Sequence, residues 1–317
     1  MADKAEKTER RERVAFELER RRRLAVPALA GGVLYIMGAV TTTSALSGAP
    51  SVGLLQGIAP AIHGEKAAPT SPKVGVLQFI SNHAGALIAG ALMTAISVVA
   101  LVLVLAFLHG ATRYRRAQMF PATRALIVYG GLAYAIATLV HWLFYVVESK
   151  KFIESSDHSA SAAEHALTGA AVQIVGAVAV FGGLFLAAGM VILMMNALRV
   201  GLIVRWLAIL GMFVGLLIFI PIGGEQLQVV PALWLVFTGI LFFGKWPGGD
   251  PPAWQAGEAV PWPPGGRRGQ KAQQQERGSR RKGQAVPTPT PAPQAAADPQ
   301  SAATVQASAP RKRRKRR

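Results

Sequence analysis

Imidazole and carboxylate side chains gather near the same ends of several apolar segments of this chain. His83, His141 and His165 fall there, together with Glu148 and Glu164. Histidine and carboxylate are ligands that zinc, copper, nickel and iron accept, and two facing histidines can hold a haem. The sequence contains no HExxH pattern or other close ligand spacing. Three hypotheses stay open: a metal or haem site, a proton sensor, or polar caps at a membrane edge.

Two runs of basic residues offer another chemistry, electrostatic attraction to phosphate groups. Each basic residue close to an anionic membrane leaflet contributes about 1 kcal/mol to binding. The second run contains no aromatic residue, so base stacking with nucleic acid has no support. We expect both runs to contact anionic lipid headgroups or an acidic partner. The predicted contact residues are Arg20, Arg21, Arg22, Arg23, Arg311, Lys312, Arg313, Arg314, Lys315, Arg316 and Arg317.

The residues that other classes of reaction require are missing from the sequence. The chain has no Cys, which excludes disulfides, thiolate catalysis and Cys-based zinc or iron–sulfur sites. No nucleotide-binding loop, nucleophile elbow or pair of cytoplasmic carboxylates occurs in the sequence. We therefore favour a non-enzymatic protein without a cofactor. A small-solute permease is a further alternative, although an intramembrane acid typical of ion-driven transporters is missing from the apolar segments.

Six apolar segments must position all of these residues. Each is long enough, or nearly so, to cross a bilayer core, which takes about 20 residues of helix. None has Lys, Arg or Asp in its interior, where such a charge costs at least about 2.5 kcal/mol. The sequence therefore predicts an all-α, polytopic membrane protein. The predicted spans are 24–46, 83–108, 125–147, 171–197, 206–222 and 226–244.

The basic residues lie almost entirely on one side of these six spans. Of the 34 Lys and Arg residues, 30 fall in the two tails and in the loops after spans two and four. The remaining four are Lys66, Lys73, Lys150 and Lys151. By the positive-inside rule, this predicts that both ends lie in the cytoplasm. The Ala-, Gly- and Arg-rich composition is typical of a high-GC bacterium, so we expect the plasma membrane.

The regions outside the spans differ in composition. Residues 1–23 carry acid-before-base pairs four residues apart and predict a charged cytoplasmic helix. Pro27 suits the first turn of a following helix. Residues 246–317 begin with Trp246, Trp254 and Trp262 amid Gly and Pro, which favours interfacial anchoring or a polyproline segment. The rest of this tail, from about residue 265, is polar and basic, so it predicts disorder.

Small residues recur at helical spacing within the spans. Gly211 and Gly215 form a GxxxG pattern, and Ala179, Gly183 and Ala187 repeat the spacing. Such faces allow close helix contact, either within one chain or across a homodimer. The stretch RVGLIVRWLAILG, residues Arg199–Gly211, and the six-span plan resemble uncharacterised bacterial six-span membrane proteins. That resemblance implies the fold and carries over no functional residue.

Overall fold

The computed structural model describes residues 2–49, 72–116, 118–219 and 229–262, and these contain helices and connecting turns but no strand. They belong to one compact unit, Met1–Pro263. The fold is all-helical, as predicted. The helices are α1 (Ala2–Leu46), α2 (Pro72–Asn82), α3 (Ala84–Arg115), α4 (Thr123–Ala125), α5 (Gly131–Glu154), α6 (Ala160–Thr168), α7 (Ala170–Val200), α8 (Arg205–Phe219), α9 (Val229–Phe242) and α10 (Pro252–Ala256), with a π-helical turn at Leu126–Gly130 between α4 and α5.

Four helical stretches are long and apolar enough to cross a membrane. They are Thr8–Leu46, Ala84–Arg115, Thr123–Glu154 and Ser161–Val200, and they coincide with the first four predicted spans. Large apolar side chains such as Ile136, Ile174 and Phe181 point outward from them. Outward apolar faces on long apolar helices indicate a membrane-embedded protein.

Helices α8 and α9, at the fifth and sixth predicted spans, are shorter. They have 15 and 14 residues. At 1.5 Å per residue they extend about 22 and 21 Å, whereas a bilayer core is about 30 Å thick. Residues 220–228, which join the two predicted spans, lie outside the described ranges. The described helices therefore account for four membrane-long segments and two shorter apolar ones.

The helices form a bundle in which α1 and α7 each pack against two neighbouring helices. Helix α1 lies against α3 and α9, and α7 lies against α5 and α8. Helix α3 also contacts α5 and so joins the two groups. The buried core between them includes Leu101, Leu105, Met190 and Trp234.

Two crossings depend on glycine because the backbones come very close. A Cβ atom on Gly38 of α1 would lie 2.7 Å from Thr94 Oγ1 and 2.9 Å from the Gly90 carbonyl oxygen of α3. A Cβ atom on Gly182 of α7 would lie 2.7 Å from the backbone nitrogen of Tyr134. All three distances are shorter than a carbon atom tolerates, so only glycine permits these contacts.

The GxxxG face of α8 is filled by the chain itself. A Cβ atom on Gly211 would lie 2.7 Å from Trp234 Nε1 and 2.8 Å from Met194 Sδ, and one on Gly215 would lie 3.1 Å from the Ala187 carbonyl oxygen. Of the two hypotheses for these glycines, the structure supports packing within one chain. A homodimer would require a surface other than this one.

Helix α1 runs without a break from the charged segment into the first span. The prediction that Pro27 begins a new helix is wrong, because Pro27 lies inside α1. Proline removes one backbone N–H, but helices in a membrane tolerate it where neighbouring helices support them. The arginines before Pro27 are therefore held on the same helix as the apolar span.

Candidate functional site

Residues 245–262 fold back over the end of the bundle that carries most of the described arginines. We call this stretch the capping segment and that end the basic end. Pro251 and Pro252 begin α10, where a missing N–H costs nothing, and Gly257 ends it in a left-handed conformation with φ of 68°. Gly244 and Gly249 also have positive φ angles, of 72° and 81°. These residues turn the chain back, so the Pro- and Gly-rich composition produces a compact fold here.

Trp254 anchors the capping segment. Its side chain is fully buried, and its indole Nε1 donates a hydrogen bond to the Leu202 carbonyl at 2.9 Å. The ring lies parallel to Phe107 at a centroid distance of 5.8 Å and edge-on to Phe242 at 6.5 Å. A buried tryptophan with its N–H satisfied contributes both apolar contact and orientation.

The other two tryptophans of the segment also contact the bundle. Trp262 Nε1 donates to the Ile203 carbonyl at 3.0 Å, and the Val260 backbone N–H donates to the Val200 carbonyl at 3.1 Å. Trp246 lies 5.4 Å from Trp206 between ring centroids. All three tryptophans therefore hold the segment against the turn after α7 and the start of α8.

Two buried arginines connect the capping segment to the bundle. Arg21 of α1 donates to both Asp250 carboxylate oxygens, at 2.9 and 3.1 Å, and to the Phe242 carbonyl at 3.1 Å. Arg115 of α3 donates to Glu17 at 2.8 Å and to the Ala253 carbonyl at 3.1 Å. Their side chains are only 2% and 0% exposed.

These four charged groups balance one another. Two guanidinium groups face two carboxylates, and both guanidinium carbons lie over the Trp254 ring, at 5.2 and 5.5 Å from its centroid. Removing charges from water costs several kcal/mol per ion, so each must find partners inside the protein. The network pairs each charge with an opposite one and fixes the position of the capping segment relative to α1 and α3, while the buried Arg21 Nη1 has no hydrogen-bond partner within the described ranges.

Sequence reasoning missed this network. The predicted lipid-contact residues Arg20, Arg22 and Arg23 are exposed, but Arg21 is buried against Asp250 and is not available to lipid. The partner stands 229 positions further along the chain. The useful signal was the lone Asp250 between Gly- and Pro-rich turns, followed by Trp254. The predicted contact residues Arg311–Arg317 lie outside the described ranges.

The three histidines predicted as metal ligands have different surroundings. His83 is exposed, stacks on Phe79 at 4.1 Å, and its Nδ1 lies 3.0 Å from the Phe79 carbonyl. His141 packs edge-on against Tyr145 at 4.5 Å, and its buried Nδ1 has no hydrogen-bond partner within the described ranges. His165 is exposed on α6.

The two predicted acidic ligands form ion pairs with lysines. Glu148 lies 2.7 Å from Lys151, and Glu164 lies 3.0 Å from Lys73. Across the residues that the structure describes, no three His, Asp or Glu side chains are close enough to hold a metal ion together. The structure does not bring the five predicted ligands together, and the metal or haem hypothesis stays a prediction, as does the permease.

The carboxylate of Asp157, between α5 and α6, is influenced by Ser159. Asp157 Oδ1 accepts a hydrogen bond from the Ser159 backbone N–H at 2.9 Å, and this bond lowers the pKa of Asp157. Ser159 in turn caps α6 by accepting from the Ala162 N–H at 3.2 Å. The arrangement is an ordinary helix start.

Comparison with known proteins found no match to a family model, to a curated protein sequence or to a solved structure.

Proposed function

We propose that this chain is a six-span plasma-membrane protein with both ends in the cytoplasm, and that it acts as a non-enzymatic scaffold. In this proposal the exposed basic residues of α1 and the basic residues of the sequence after the capping segment bind anionic lipid headgroups. An acidic protein partner is the alternative ligand for the same charges.

One observation carries the proposal. Helix α1 is continuous, and it exposes Arg20, Arg22 and Arg23 directly before its apolar part while Arg21 faces inward. A rigid helix thus presents cations at the level where a cytoplasmic leaflet has its phosphate groups. Each adds about 1 kcal/mol of attraction to an anionic leaflet.

The orientation and the span number rest on charge and packing. Arg21, Arg115 and the other folded arginines of the basic end lie together, as the positive-inside rule expects of a cytoplasmic face. Helices α8 and α9 are joined by a hydrogen bond from Trp234 Nε1 to the Leu207 carbonyl at 3.0 Å. A bonded apolar pair of this kind suits a helical hairpin that crosses the membrane and returns.

The proposal is tested with the full chain carrying one fluorescent label. Because the chain has no Cys, Ser308→Cys gives a single labelling site beside the terminal basic run. We expect the fluorescence emission of the label to shift to shorter wavelength, as in an apolar environment, in vesicles that contain phosphatidylglycerol. In pure phosphatidylcholine vesicles we expect no shift. Raised salt should reverse the shift, because it screens charges over about 10 Å or less.

A matched variant replaces the seven residues Arg311–Arg317 by Gln in the labelled chain. We expect it to show no lipid-dependent shift. Equal emission in both vesicle types for the unmodified tail would contradict lipid binding, and the acidic partner would then become the ligand to seek.

A further inference from the structure

A groove at the basic end combines an apolar wall with unpaired cations. It lies between α1, α3 and α4 and has a volume of about 760 Å³. Its apolar wall includes Phe16, Leu24 and Leu103, and its polar wall includes Arg20, His109 and Arg124. A second, smaller groove of about 390 Å³ shares Phe16, Arg20 and Leu24 with it.

The two arginines of this groove differ from those under the capping segment. Arg20 and Arg124 are exposed, and neither has a carboxylate partner in the described part of the chain. Arg124 is close enough to the buried His109 to interact with it electrostatically. Two guanidinium groups on different helices therefore face one open space, and neither forms an ion pair within the described ranges.

The acidic residues along the groove are already neutralised or stand farther out. Glu17 is bound to Arg115 at 2.8 Å and lies 3.8 Å from Arg13, which itself stacks on Tyr114. Glu9 and Glu12, which also line the groove, precede Leu24 by 15 and 12 residues on α1, about 22 and 18 Å along the helix, whereas Arg20 precedes it by about 6 Å. The positive part of the groove is therefore the part next to the apolar span.

We propose that this groove binds one anionic phospholipid of the cytoplasmic leaflet, with its phosphate between Arg20 and Arg124 and an acyl chain along Leu24 and Leu103. The proposal rests on the proposed membrane orientation, and it goes beyond it because the lipid occupies a built site and is not merely attracted by a tail. Guanidinium groups bind phosphate through paired N–H donors, and the level of Arg20 on α1 matches the headgroup layer.

Native mass spectrometry of the full, delipidated chain in mild detergent tests this site. The protein is offered an equal mixture of phosphatidylglycerol and phosphatidylcholine. We expect one phosphatidylglycerol to be retained in preference. The double variant Arg20→Gln/Arg124→Gln should weaken that retention about 30-fold, since two basic residues are lost.

A matched double variant controls for charge. Arg199→Gln/Arg205→Gln removes the same charge from exposed positions that neither line the groove nor belong to the arginine run on α1. We expect it to retain phosphatidylglycerol as the unmodified chain does. Circular dichroism of each variant confirms that the helices remain folded.

A second pair of variants fills the groove without changing charge. Gly110 lines the groove, and a Cβ atom there would meet nothing within 4 Å, so Gly110→Leu should fold and obstruct the lipid. Gly85 on the same helix has equally open surroundings, so Gly85→Leu is its control. We expect lipid retention to fall in the first and not in the second.

The possible results separate this site from the proposed tail contact. Equal retention of both lipids, or displacement of phosphatidylglycerol by soluble glycerol phosphate, would overturn the lipid site. If only the variant with Gln at Arg311–Arg317 loses phosphatidylglycerol binding, the proposed lipid site in the groove is refuted and the tail proposal stands. If only the groove variants lose lipid, the groove stands and the tail proposal fails.

Discussion

The Arg21–Asp250 pair is the residue-scale feature whose removal should be most costly. Asp250→Ala leaves Arg21 buried with only the Phe242 carbonyl as an acceptor. Breaking a buried pair on one side costs about 3–5 kcal/mol, and Asp250 is one-fifth exposed, so we expect about 3 kcal/mol. Unfolding in detergent with increasing dodecyl sulfate measures the loss.

An exposed ion pair of the same helix supplies the control for this substitution. Arg23 and Glu19 lie 2.6 Å apart but are 77% and 63% exposed. Glu19→Ala should therefore change the free energy of unfolding by less than about 1 kcal/mol. Equal losses for Glu19→Ala and Asp250→Ala would show that burial does not set the strength of the Arg21 pair.

Trp254 gives a second residue-scale prediction, in which two substitutions separate packing from hydrogen bonding. Trp254→Phe keeps an aromatic ring beside Phe107 but removes the donor to the Leu202 carbonyl, so we expect a loss of about 1 kcal/mol. Trp254→Ala also removes the ring, and about 3–5 kcal/mol is expected. Thermal unfolding followed by circular dichroism compares the two. If both variants were as stable as the unmodified chain, the capping segment would not depend on Trp254.

At this scale the sequence predicted correctly which arginines are exposed when their own charge decides it. It failed for a residue whose burial depends on a partner far along the chain. Arg20, Arg22 and Arg23 are exposed as an arginine run before a span predicts. Arg21 belongs to the same run, yet it is buried because Asp250 reaches it from the capping segment. Similarly, Trp254 carries the same interfacial signal as Trp246, and only the folding back of the chain buries it. Pairings over more than 200 residues leave no local pattern.

At the scale of elements, the crossing of α1 and α3 should be sensitive to any side chain. Gly38→Val places atoms where Thr94 and the Gly90 carbonyl already lie, so the helices must separate. Forcing extra atoms into a packed contact costs about 1–3 kcal/mol. The control is Gly110→Ala on α3, where a Cβ atom meets nothing. A variant at Gly38 as stable as the control would contradict this crossing.

The helices themselves were largely predictable, because twenty apolar residues in a row leave few alternatives in a membrane. The first four spans illustrate this, because each coincides with one of the four membrane-long helical stretches. The boundaries were less predictable. Pro27 was expected to begin a helix, but α1 continues through it, and α3 and α9 pack against the helix. The folded unit also continues to Pro263, whereas the composition changes near residue 245.

At the scale of the whole molecule, the number of crossings can be decided by labelling. We expect Glu225→Cys, between α8 and α9, to react with a membrane-impermeant maleimide on intact cells, because six spans put it outside. Ser156→Cys, after α5, is the positive control, and Ser308→Cys should react only after the membrane is opened. If Glu225→Cys behaves like Ser308→Cys, the α8–α9 pair does not cross, and the protein has four spans.

The contact of α1 with α9 has a consequence for the order of events during synthesis. Helix α1 leaves the ribosome first, yet the helix α9 that packs beside Leu29, Gly31 and Gly32 is made about 200 residues later. At about 5–20 residues per second, that interval lasts about 10–40 s. During this time one flank of the first helix faces lipid or an insertion factor instead of its final neighbour. Assembly of the bundle therefore ends where it began, and a nascent chain stalled before α9 should be recognised by quality-control proteases as incomplete.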